Sequence, residues 1–376
     1  MPVATLRTGE RRARVAQRVS APGPGTADAL VVEGLTCDIE TRQGRIRPVE
    51  DVSFTLGHGR SLGIVGESGS GKSMLVRSIM GITPSTATVT GRVLLEDVDL
   101  RQLPRKERRR KLGAGISLIF QDPMSSLNPV VPIGRQITEG IRFHFGLNRD
   151  EARARAIDLL TQVGISEPEK RLRQYPHHLS GGMRQRVMIA AALGCDPKVL
   201  IADEATTALD VTVQKQILDL LKEIQEARKM SVIIISHDLG VVAGRTDDLV
   251  VMYAGQVVEK GPTKTLFKNN RHRYTAALLD AMPDLSGEPH QKLHTIAGSP
   301  PRPTKLGPGC RFARRCTAAT DECREQVPAL RSDDPGSETH LHRCIWPVDH
   351  RADQAVAAVP AAQPPDPKPT PNAGQP

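Results

Sequence analysis

The chain has 376 residues, 39% of them hydrophobic, which is more than one small domain needs and enough for a packed core. Only 3% are aromatic, so that core is expected to be aliphatic, and the formal net charge of +9 points toward an anionic partner. No stretch approaches the roughly 18 apolar residues of a membrane-spanning helix, and the basic start lacks the apolar run of a secretory signal, so neither a membrane-spanning nor a secreted protein is expected. The expected place is the cytosol unless a partner holds the chain at a membrane, with six cysteines acting as thiols or metal ligands rather than disulfides.

In chain order, residues 1–28 read as a basic arm rich in Pro, Gly and Ala, expected to be disordered. Strand-like stretches follow, "ALVVEGLTCDI" and "VEDVSFTL", and then the buried-strand run "SLGIV". The run "RKERRRK" from Arg105 to Lys111 has no interleaved aromatics for base stacking and is read as a solvated surface rather than a nucleic-acid contact. From about Gln121 to Ser180 the pattern turns helical, with Ala156, Leu159, Leu160 and Val163 on one face and Gly164 placed as a stop. "KVLIADE" and "SVIIISHD" are apolar on both faces and read as central parallel strands. After Gly261, proline and cysteine become frequent, and residues 348–376 read as a flexible low-complexity tail.

The stretch "GESGSGKS" follows a strand directly and matches G-x-x-x-x-G-K-[ST]. Gly66, Gly69 and Gly71 let the backbone between them, with Glu67, Ser68 and Ser70, turn its N–H groups onto a phosphate. Lys72 adds a cation for the β/γ oxygens, and Ser73 offers a hydroxyl to Mg²⁺. Asp203 ends an apolar run, so its carboxylate emerges at a strand's C-terminal edge, where it can hold Mg²⁺. Glu204, next along and expected to point elsewhere, suits a base that orients water. His237 ends a third strand within reach of a γ-phosphate. In "LSGGMRQR", Ser180 is an N-cap type, and Gly181 and Gly182 have no side chain to cover the first free N–H groups of a helix. The chain has one phosphate loop with its own cation, so the natural ligand of this second anion site is a γ-phosphate bound to another subunit.

"GESGSGKS", Gln121, "LSGGM", "VLIADE", "ALD" and "ISHD" occur in the order found in ATP-binding-cassette (ABC) ATPases, and residues 29–262 resemble that family. The resemblance implies an α/β P-loop NTPase cassette. Its parts would be a RecA-like mixed-sheet core, an antiparallel β subdomain and an α-helical signature subdomain at about 121–180. It also implies two cassettes that sandwich Mg²⁺ and ATP. Ser73, Gln121 and Asp203 would face Mg²⁺, with Gln121 also touching a transmembrane partner. Glu204 and His237 would act in hydrolysis, and Asp210 would belong to a dimer-contact loop. Met183 stands where glutamine is commonest. The position that usually stacks an aromatic on adenine falls at Ile39, with Arg47 nearby, so weak base selectivity is expected.

Longer phrases, among them "FQDPMSSLNPVVPIGRQITEGI" and "HRYTAALLDAMP", resemble the ATPase subunits of dipeptide/oligopeptide and nickel importers. Residues 263–347 resemble the C-terminal extension of that group, with Arg273 in place of the usual proline. The resemblance implies an ATPase on the cytoplasmic face of the cell (inner) membrane. Its partners would be two permease chains, an extracellular solute-binding protein and a second, related cassette, with no nucleic acid. A soluble cassette acting on nucleic acid, ribosomes or iron–sulfur assembly is the rival from another class, and a redox-sensing module a third. Cys310, Cys316, Cys323 and Cys344 follow C-x5-C-x6-C-x20-C, a donor set for a metal ion or an iron–sulfur cluster. The absence of tight C-x2-C pairs favours the cluster over Zn²⁺, and the resemblance implies [4Fe-4S]. His340 and His342 are possible substitutes for Cys344, while Cys37 and Cys195 are expected to be buried small apolar side chains.

Overall fold

The computed structural model describes residues 28–122, 126–205, 210–282, 295–334, 336–337 and 339–349. The expected arm and tail lie outside the described residues except for Asp28, Val348 and Asp349, as do residues 206–209 of "ATTALD".

Alternating burial along the first strands builds a four-stranded antiparallel sheet. The long strands β1 (Asp28–Thr41) and β2 (Gly44–Gly57) form a hairpin, and the chain then enters β3 (Ser61–Val65) and helix α1 (Lys72–Met80). It returns through β4 (Ala87–Leu95) and β5 (Val98–Asp99) to complete the order β2-β1-β4-β5. Helix α2 (Arg105–Lys111) buries no residue, as its run of basic side chains demands, and leads into β6 (Ile116–Ile119).

The helical section is built on apolar spacing. In α3 (Ile133–Phe145) the buried residues Ile133, Ile137 and Ile141 recur every fourth position. In α4 (Arg149–Gln162) Ala152, Ala156, Leu159 and Leu160 are buried, and Gly164 at φ +72° ends the turn. A short α5 (Pro168–Arg171) precedes α6 (Gly181–Leu193), whose first residue is exposed and whose later residues Val187, Ile189, Ala190 and Leu193 are fully buried.

A second, seven-stranded sheet has the order β11-β10-β9-β3-β8-β7-β6. Its remaining members are β7 (Val199–Asp203), β8 (Ser231–Ser236), β9 (Asp248–Tyr253), β10 (Gln256–Pro262) and β11 (Leu341–His342). Strands β9, β3, β8, β7 and β6 run parallel, and β10 and β11 are antiparallel at one edge. Helices α7 (Val211–Arg228) and α8 (Leu239–Val242) connect the parallel strands. Leu200, Ala202, Val232 and Ile234 face one core layer, and Val199, Ile201, Ile233 and Ile235 face the other. Both faces are covered, which is why these strands read as unbroken apolar runs.

The chain after Pro262 is joined to this body through α9 (Thr263–Asn269), α10 (Arg273–Asp280), α11 (Asp321–Glu325) and the edge strand β11. The scarce aromatics gather at the seam: the Tyr253 and Tyr274 rings lie 4.5 Å apart, and Phe312 lies 5.3 Å from each. Val348 is also buried, donating its N–H to the Arg271 carbonyl at 2.9 Å. Among the described residues no helix is long and apolar enough to cross a membrane.

Candidate functional site

β3 ends at Val65, and the chain turns at once into the glycine-rich loop. Gly66, Gly69 and Gly71 hold φ of +153°, +80° and +104°. A Cβ on Gly66 would lie 2.1 Å from the Met252 carbonyl oxygen, and one on Gly71 would lie 2.0 Å from that of Pro48. Lys72, whose side chain is 3% exposed, folds back into this ring and donates to the carbonyls of Gly66 at 2.6 Å and Glu67 at 3.0 Å. Burial holds its ammonium below the ordinary lysine range, against the pull of Glu204 and Asp203. A cation kept dry in a ring of backbone groups is prepared for an anion.

The strand order decides what stands beside that loop. β3, β8, β7 and β6 are successive parallel neighbours, so their C-terminal ends bring Lys72 and Ser73, His237, Asp203 and Glu204, and Gln121 to one edge. Ser73 Oγ donates to Asp203 Oδ1 at 3.3 Å. Burial lifts the Asp203 carboxyl above its ordinary value, while the Ser73 hydroxyl pulls it down. The Glu204 carboxylate accepts from Gln121 Nε2 at 2.9 Å and lies 3.7 Å from Lys72 Nζ and 3.5 Å from His237 Nδ1.

Glu204 was expected to point away from Asp203, as consecutive strand residues do. The structure differs because the strand has already ended: Glu204 has φ +45°, a left-handed conformation costing a non-glycine residue about 1–3 kcal/mol. Its N–H is held by the Ile235 carbonyl at 3.1 Å. The turn brings both carboxylates to the same loop. Hard oxygen donors at Ser73 and Asp203 suit Mg²⁺, and Glu204 beside them suits a group that orients water.

Beside loop residues 67–70 opens a cleft of about 430 Å³ that also includes Arg47 and Tyr253 to Gly255. Ile39, expected at the base, is not among its lining residues. It pairs with Ile46 and Ala87 and packs against the apolar layer beneath the antiparallel sheet, because its position in β1 faces that layer. Ser180 and Gly181 are exposed and, with Gly182, stand outside the cleft; Ser180 Oγ accepts from the Met183 N–H at 3.3 Å. Asp210 caps α7, its carboxylate accepting from the Val213 N–H at 2.9 Å.

Cys310, Cys316, Cys323 and Cys344 are free thiols that line one chamber of about 330 Å³. Burial pushes Cys310 up to about 11 and raises Cys316 and Cys344 as well, with neighbouring cysteines adding to the shift of each. Among the described residues no three His, Cys, Asp or Glu come close enough together to hold one metal ion. The expected stand-ins for Cys344 are engaged elsewhere: His340 Nε2 lies 2.7 Å from Glu259 Oε1 and His342 Nε2 lies 2.9 Å from Asp333 Oδ1. Cys37 and Cys195 are both buried.

A family model described as ABC transporter matches residues 49–207, and one described as the C-terminal region of oligopeptide/dipeptide transporters matches residues 258–323. The oligopeptide transport ATP-binding protein AppD of Bacillus subtilis is 46% identical over 328 residues, 87% of this chain and 99% of AppD. The dipeptide transport ATP-binding protein DppD of Escherichia coli is 46% identical over 325 residues, 85% of this chain and 97% of DppD. The chain is an ABC ATPase of the oligopeptide/dipeptide transporter family. Solved cassettes agree in fold. The dimeric bacterial ABC transporter cassette MJ0796 has TM-score 0.56 and 25% identity, covering 62% of this ABC ATPase and 98% of that chain. CbiO1 of Clostridium perfringens has TM-score 0.54 and 30% identity, covering 65% and 92%.

Some residues of this ABC ATPase touch the loop without any signal in the sequence. Tyr274 Oη accepts from the Glu67 N–H at 2.8 Å, and Arg315 clasps the Glu67 carboxylate at 2.6 and 2.9 Å. These partners are 207 and 248 positions apart, beyond the reach of any periodicity.

Proposed function

We propose that this chain is the ATP-hydrolysing subunit of a membrane importer for di- or oligopeptides, seated peripherally on the cytoplasmic face of the cell membrane. The reading is carried by one observation, the convergence of Lys72, Gln121 and His237 on Glu204 beside the Ser73–Asp203 pair. The relatives AppD and DppD are named for oligopeptide and dipeptide transport, and the extension shared with that group favours the importer over a soluble cassette.

In this reading the N–H groups of the loop from Gly66 to Gly71, with Lys72, hold the phosphates. Ser73, Gln121 and Asp203 hold Mg²⁺, which screens the phosphate charge when bound. Glu204 orients the attacking water, and His237 contacts the γ-phosphate. Ser180, Gly181 and Gly182, at the start of α6, close on nucleotide held by a second cassette, and Asp210 belongs to that contact. The solved relative MJ0796 is itself a dimer, and a post-hydrolysis form of it binds ADP and phosphate. Two permease chains and an external solute-binding protein complete the importer.

Glu204→Gln tests this reading. Turnover is expected to fall about 10²–10⁴-fold while ATP binding persists and a Mg²⁺–ATP-dependent dimer accumulates, read by light scattering. Undiminished turnover would remove Glu204 from its role. A variant that stays monomeric beside its cassette and permease partners would remove the sandwich.

The cysteine chamber supports a second, additional reading, that of a structural [4Fe-4S] site. Four thiols share one chamber, yet no three of the donor groups gather around a single point. Four soft sulfur donors bordering one space are the ligand set such a cluster takes. Anaerobically purified protein is then expected to be brown; a colourless, zinc-loaded preparation contradicts it.

A further inference from the structure

We infer that the C-terminal extension builds one wall of the nucleotide's base subsite, opposite the flat guanidinium of Arg47. This rests on the reading of the phosphate loop as an ATP site and adds to it the residues that hold the base. The cleft beside loop residues 67–70 is bordered by Arg47 and Pro48, and its remaining border is formed by Pro300, Pro301, Pro303 and Leu306.

The chemistry of the two walls matches a nucleobase. Arg47 directs Nε to Asp38 Oδ1 at 2.8 Å, one terminal nitrogen to Asp38 Oδ2 at 3.2 Å and the other to Glu50 Oε1 at 3.0 Å. These bonds lie along the edge of the guanidinium and leave its planar face for stacking. The same cleft is lined by three proline rings and a leucine, apolar and with no proline N–H to desolvate. Tyr253, the one aromatic residue lining the cleft, is unsuited to the task. Its ring is 1% exposed, packed 4.5 Å from Tyr274 and 5.3 Å from Phe312, and its hydroxyl lies 3.3 Å from Arg315.

The wall is also anchored to the loop it faces. Arg315 bonds the carbonyls of Ile296 at 3.1 Å and Ala297 at 2.9 Å, just ahead of the prolines, while clasping Glu67 in the phosphate loop. Arg311 reaches the Ala254 carbonyl and Glu50, the carboxylate that also holds Arg47. Both struts start beside chamber cysteines, Cys310 and Cys316. A base lying between Arg47 and the prolines is recognised by stacked area rather than by its hydrogen-bonding edge.

The test uses the full chain and two probes, Mg²⁺–ATP and Mg²⁺–tripolyphosphate, titrated calorimetrically against the native protein, Arg47→Ala, Pro301→Gly and Leu306→Ala. Each variant is expected to lose about tenfold in affinity for ATP, the loss of one stacking partner, and nothing for tripolyphosphate. Pro300→Gly, at an exposed position, guards against loss of folding and is expected to act in the same direction. Unchanged ATP affinity in the three extension variants overturns the inference. Equal losses for both probes overturn it too, since they would mean that the prolines only brace the loop. A native chain that binds neither probe defeats the ATP reading itself, a different result from either.

Discussion

Asp203 and Lys72 are opposite charges kept out of water, and burial opposes the charged form of each. The sign of the consequence differs between them. Between the ordinary aspartate value and the higher value of Asp203, the folded chain keeps a proton that the unfolded chain has lost. Stability of the ligand-free protein therefore falls as pH rises through that window. Lys72 works the other way at alkaline pH, where the unfolded chain holds the extra proton and stability rises with pH. Asp203→Asn is expected to flatten the acid-side slope, to keep or raise the thermal midpoint near neutrality, and to abolish Mg²⁺-dependent turnover. A midpoint-versus-pH profile identical to that of the native chain would contradict this. Both residues were legible as chemistry, one ending an apolar run and one inside a glycine motif. Their dryness was not, because it comes from neighbouring strands.

Among the elements, α4 has the fullest local specification. Asn148 accepts from the N–H groups of Asp150 at 3.0 Å and Glu151 at 2.9 Å, and Glu151 accepts in return from the Asn148 N–H at 3.1 Å. Asn148→Ala is expected to cost about 1 kcal/mol, lowering the thermal midpoint by about 2–4 °C, with ATP turnover unchanged. Circular dichroism and a turnover assay check both halves. Helix α6 is specified differently: its cap is Ser180, and its first residue, Gly181, is exposed and carries no side chain. Spacing alone foretold α4 to its glycine stop. The central strands were also foretold, since residues covered on both faces leave an unbroken apolar run.

Across the whole molecule, the extension is part of the cassette rather than an appendage. It adds β11 to the central sheet, packs Tyr274 and Phe312 into the seam with Tyr253, and reaches the phosphate loop through Arg315. Arg315 is the neighbour of Cys316 in the chain, so the cysteine chamber and the loop share a short mechanical path. If the chamber holds the proposed cluster, Cys316→Ser is expected to remove its visible absorbance under anaerobic conditions and to raise the KM for ATP more than it lowers kcat. Absorbance lost with KM unchanged would disconnect the two.

The chain's own order of residues determined the phosphate loop, the capped helices, the apolar strands with carboxylates at their ends and the bare start of α6. Each depends on neighbours a few positions away, whose backbone geometry and periodicity are local. Tertiary structure decided which of these meet. Strand order gathered Gln121, His237 and Lys72 around Glu204, and a left-handed turn held by Ile235 aimed Glu204 at the loop. It also packed Ile39 against the apolar layer and brought the prolines to the same cleft as Arg47. Contacts spanning more than 200 positions arise from sheet register and core packing, which no short window of sequence contains.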